Sequence, residues 1–112
     1  MAWIELHQTL PTNKKTIRFK NLLRISVPQA VGHLCILWLW ALDNASDGDL
    51  SGFTAAEIAE FASWSGESAN EFVQALIKAG FIDSDMILHD WYDYAGKLVD
   101  KRRQNAERMR AK

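Results

Sequence analysis

Ten of the thirteen lysines and arginines fall in two clusters, Lys14, Lys15, Arg18, Lys20 and Arg24 near one end and Lys101, Arg102, Arg103, Arg108 and Arg110 near the other. Clustered cations on helices neutralise phosphates and release the counterions condensed around a polynucleotide. A second candidate set lies between them. Asn70, Glu71, Gln74, Ala75 and Lys78 are the expected outward positions of one helix; the two amides can pair with adenine in a major groove, and Lys78 can meet a phosphate or a guanine. Glu67, Glu71 and the pair Asp83/Asp85 would face phosphate close by, and Coulomb repulsion opposes that docking. The expected partner is therefore DNA, single- or double-stranded, held through its backbone with weak sequence selectivity and strong salt dependence.

Charge is distributed to match. The formal net charge is only −1, but residues 1–42 carry five cations against Glu5, residues 43–93 carry eleven acids against Lys78, and residues 94–112 carry seven cations against Asp100 and Glu107. A fold that brings the ends together would present a cationic face. Other chemistry finds no support. His33 and Cys35, two apart on a helix, point to different sides and cannot chelate one metal, and His7 and His89 are isolated. Glycine-rich phosphate loop, nucleophile elbow and paired carboxylates are all missing, so neither an enzyme nor a metal or cofactor site is expected.

The elements that must position these residues can be read in turn. With 112 residues and 48% hydrophobic content, one domain is expected. Trp3 to His7 alternates imperfectly and suggests a short strand. Pro11 and Thr12 offer a helix start, and Asn13 to Arg24 has Ile17, Phe19, Leu22 and Leu23 on its apolar side, with Lys14 and Arg18 elsewhere. Ser26 or Val27 before Pro28 starts a second helix that runs to about Asn44. Its apolar residues occur on nearly all sides, as in a central helix or one that meets a second subunit; Trp38, Trp40 and the nearby leucines exceed what one small core needs, which points to a homo-oligomer.

Thr54/Glu57 and Ser68/Glu71 both match the capping box and place helices near 55–64 and 69–79, with Gly80 at a left-handed C′ position. Two short helices joined by a tight turn form a helix-turn-helix, and FIDSDMILHDW reads as strand, turn and strand. A final helix starts near Trp91, with Tyr94, Ala95, Leu98 and Val99 at core spacing, and passes into pure charge by Asp100. The fold class expected is mainly α: a winged helix over residues 1–100, helix-turn-helix plus small β-hairpin, with an extended basic C-terminal helix whose residues 101–112 form a tail or linker. The longest apolar run, Leu34 to Leu42, is too short to cross a bilayer; with one cysteine and no secretory leader pattern, a reducing cytoplasm and no membrane are expected.

The segments LPTNKKTIRFKNLLRISVPQAVGHLCILWLW and HDWYDYAGKL, with TAAEIAEFASW and SANEFVQALIKAGFI between them, resemble the winged-helix N-terminal region of phage replisome organisers and related DnaD-like replication initiation proteins. The resemblance covers nearly the whole chain. It implies a DNA-binding or assembly module for DNA replication, self-association, other replication proteins as partners, and a second domain beyond a basic linker. The chain departs from that pattern in a recognition helix poor in cations. A protein-interaction and oligomerisation module without DNA, or a winged-helix transcriptional regulator, is the competing expectation.

Overall fold

The computed structural model describes Ile4, residues 6–66 and residues 68–91. These residues form a mainly helical body: a 3-10 turn at Leu10–Thr12, then α1 (Lys14–Leu23), α2 (Val27–Asn44), α3 (Ala55–Phe61) and α4 (Ala69–Ala79). Each helix begins where a short polar side chain accepts a first-turn amide: Asn13 from Lys15, Ser26 from Gln29, Thr54 from Glu57 and Ser68 from Glu71. α1 ends in a left-handed residue, Arg24 at φ 59°, and the chain turns so that α1 and α2 meet at 103°. α4 ends on Gly80 at φ 92°, the backbone region where glycine escapes the steric penalty of a Cβ.

The core is aromatic. Phe19 of α1 is fully buried and meets Phe72 of α4 and Phe81 edge-on, with ring centroids 5.8 and 5.9 Å apart. Trp38 of α2 reaches the same Phe81 at 6.2 Å. A second group ties α2 to α3: Trp40 stacks on Phe61 at 3.8 Å, and Phe53 stands edge-on to both. His33 stands edge-on to Trp64 and Phe72; its Nδ1 sits 2.8 Å from the Ala62 carbonyl, which only accepts, so Nδ1 carries the proton. Of the two tryptophans expected to serve a second subunit, Trp38 is buried in the core, while Trp40 is half-buried against it.

Several boundaries differ from the pattern reading. α3 stops at Phe61, because Ser63 adopts φ 59° and breaks the helix before residue 64. Only the Thr54/Glu57 capping box closes in both directions; Ser68 accepts from Glu71 N, but the Glu71 carboxylate makes no return bond. The expected strands reduce, among the described residues, to two isolated antiparallel bridges, Asp49 with Ile87 and Ile82 with Leu88. Segments around 49, 87 and 82 lie side by side, fastened by Leu50 N to Met86 O and Leu88 N to Gly48 O, both 2.8 Å. Polar turn residues interrupt each segment before a ladder can extend. Ile4 and residues 6–8 are not in a strand; Met1–Trp3 lie outside the described residues.

Trp91 closes this corner. Its indole Nε1 donates to Ser46 O at 2.8 Å, and its ring covers Gly48, where an added Cβ would lie 2.8 Å from the ring. The rest of the expected last helix, with Tyr94, Ala95, Leu98 and Val99, lies outside the described residues, as does the tail 101–112. No single helix among those described is long and apolar enough to cross a membrane.

Candidate nucleic-acid interface

α1 packs against α4, and the two run antiparallel. Lys15, in the first turn of α1, donates its Nζ to the Gly80 carbonyl at the end of α4 (3.3 Å), while Leu22, a helix-length later, adjoins Glu71, Gln74, Ala75 and Lys78. The inward side of α1 is Thr16, Phe19 and Leu23. Its outward side is Lys14, Arg18, Asn21 and Leu22, which with Thr12 and Ile17 border an open depression of about 560 Å³. On α4 the outward side is Asn70, Glu71, Gln74 and Lys78, all exposed. Leu22 is where the α1 row of Lys14, Arg18 and Leu22 meets Glu71, Gln74 and Lys78 of α4.

The five cations of the first cluster are therefore not equivalent. Lys14 and Arg18 are exposed, and no ion pair among the described residues engages them. Lys15 is half-buried and its charge sits on the negative end of the α4 dipole, a structural use of a residue expected to meet phosphate. Lys20, also half-buried, lies on the opposite flank of α1 from Lys15. Arg24 is exposed at the left-handed cap, beside the start of α2. Of the second cluster, Lys101, Arg102, Arg103, Arg108 and Arg110 lie outside the described residues, and with them the expected convergence of the two ends.

Several acids of the middle segment hold turns or caps. Asp47, Asp49 and Asp85 accept the amides of Asp49, Ser51 and Ile87, and Glu57 closes its capping box. Hydrogen bonds from Ser51 hold the Asp49 carboxyl below the ordinary carboxylate range. Asp83 is 2.8 Å from His89 Nδ1. Glu71 alone among these acids stands on the α1–α4 face with no bond to its carboxylate.

Two assignments of side change. Leu22, expected on the apolar side of α1, is 44% exposed on the cationic side; its spacing of four from Arg18 carries that signal. Ala75, expected outward on α4, is buried against α1. No group of three or more metal-ligating side chains occurs among the described residues. Compared with models of protein families, with curated proteins and with solved structures, the chain matches none. The functional reading accordingly rests on this face and on the quoted segments.

Proposed function

We propose that the α1–α4 face binds DNA through its phosphate backbone, within a winged helix in which α3 and α4 are the helix-turn-helix and the bridged segment 82–88 is the wing. The observation that supports this reading best is that Leu22 borders both the depression lined by the exposed Lys14 and Arg18 and the exposed Gln74 and Lys78 of α4. α1 then supplies the charge that α4 lacks, and α4 supplies amides able to touch base edges. Lys20, Arg24 and the cations of 101–112 add further phosphate contacts. The resemblance to replisome organisers extends the proposal to a DNA-binding or assembly domain in replication initiation, working with other replication proteins. Glu71 on the same face limits how closely α4 can approach a groove, which favours weak sequence selectivity.

Fluorescence anisotropy with short single- and double-stranded DNA tests this over a range of salt. Wild type should lose affinity steeply as salt rises. Lys14→Glu with Arg18→Glu should weaken duplex binding about tenfold or more and reduce the salt slope by about 2, since each phosphate contact contributes about 0.9. Absence of binding to either form at low salt, or a double variant indistinguishable from wild type, overturns the assignment.

A further inference from the structure

Leu22 is a large apolar side chain left 44% exposed, and it lines two concavities of different character. One is the depression bordered by Lys14 and Arg18, with no acid among its described lining residues. The other is a smaller hollow of about 120 Å³ in the seam between α1 and α4, lined by Leu22, Glu71, Gln74, Ala75 and Lys78. There the charges of Glu71 and Lys78 offset one another, the buried Ala75 gives an apolar floor, and the exposed Gln74 carries an amide that both donates and accepts. A cationic site beside a neutral one with an apolar wall and a single amide matches the two halves of a nucleotide, a charged phosphate and an uncharged base.

We infer that the seam hollow receives an unpaired nucleobase, which makes the α1–α4 face a site for single-stranded DNA. The inference rests on the phosphate reading of Lys14 and Arg18 and adds the base to it. Base pairing closes the seam to a duplex. A helix is about 10–12 Å across and packed helices lie about 8–10 Å apart, so the pair is about 20 Å wide, whereas the major groove of duplex DNA is about 12 Å wide. A base edge held inside that groove stays short of a floor lying between the two helices. A base without a partner can turn out of the strand and reach it, as unpaired bases do where proteins read their edges. Glu71 at the rim repels phosphate, so of the two halves of the nucleotide the uncharged one is admitted. Leu22 then covers its exposed area against the base, and Gln74 pairs with whichever donor and acceptor that base offers, which keeps sequence selectivity weak.

The test is fluorescence anisotropy of the full chain at one low salt concentration, with three probes of equal length: a thymidine-only single strand, the same strand built of abasic sugar phosphates, and the thymidine strand annealed to its complement. The first two carry the same charge and differ only in their bases. Wild type should bind the thymidine strand about fivefold or more tighter than the abasic strand, the scale expected for covering part of one apolar side chain. Leu22→Ser should bring that ratio close to one, and its effect should be confined to the single strand. Gln74→Ala should lower the ratio about twofold and reads the same contact if the Leu22 variant loses its helical circular dichroism. Equal affinity of wild type for the thymidine and abasic strands overturns the inference and leaves the phosphate reading standing. A ratio that survives both substitutions, or an equal loss on the duplex, overturns it as well, because the base is then held elsewhere or pairing does not exclude it. Absence of binding to all three probes overturns both readings.

Discussion

α1 and α2 follow one another in the chain and make opposite use of their outer faces. α1 buries Thr16 and Phe19 and leaves Lys14 and Arg18 exposed, without carboxylate partners among the described residues. α2 buries Ala30, Leu34, Leu37, Trp38, Ala41 and Leu42 and still shows Ile36 and Leu39 outside. An unpaired charge in water carries little penalty and attracts polyions at long range, whereas exposed apolar area is relieved only by contact. The comparison separates two kinds of surface on one small body, charged on α1 and apolar on α2.

The sharpest way to break this contrast is to truncate one inward and one outward leucine of the same helix. Leu37→Ala, at a fully buried site, should destabilise by about 2–5 kcal/mol, while Leu39→Ala should change unfolding by less than about 0.5 kcal/mol at dilution. Urea denaturation at low protein concentration checks both; equal effects would mean that α2 has no outer face. Next in size, Lys15→Met should lower stability by about 1 kcal/mol through loss of the bond to Gly80 O, whereas Lys14→Met should be nearly silent in the same assay. That pair distinguishes the cation that holds the fold from the one available to DNA.

Smaller still, Glu57→Ala should cost a few tenths of a kcal/mol to about 1 kcal/mol, and Glu71→Ala nothing measurable, since only the first carboxylate returns a bond to its cap. Glu71→Ala should instead tighten DNA binding slightly by removing repulsion on the α4 row. The smallest effect belongs to Asp49, whose folded form ionises below the ordinary range. Its contribution is present above that range and fades as pH falls through the folded value, so Asp49→Asn should slightly flatten the acid limb of Tm against pH.

Three helix starts and one helix end could be read directly from Ser26, Thr54, Ser68 and Gly80; the first was expected at Pro11 and Thr12, which belong to the 3-10 turn, and α1 starts instead from the Asn13 cap. Capping acts within one turn, so the residues that decide it are adjacent in sequence. The break at Ser63 was not readable that way, because no glycine or proline marks it and a left-handed serine is held by its surroundings. Among site residues, Lys14 and Arg18 were recognisable as an outward pair from their spacing. Leu22 joined them against the expectation for an apolar residue, since the surface of α1 is shared with α4 rather than covered by it.

By itself the sequence determined that these elements are helices, where they start, and that the cations are grouped apart from acids needed at turns. Those outcomes depend on backbone propensity, local hydrogen bonds and residue order. Only the tertiary structure decided which side of the apolar α2 faces inward, that Trp38 belongs to the core with Trp40 half-buried against it, and that Lys15 is occupied while Lys14 and Arg18 have no ion pair among the described residues. Each of those depends on contacts between residues far apart in the chain, where several arrangements satisfy the same periodicity and packing selects one.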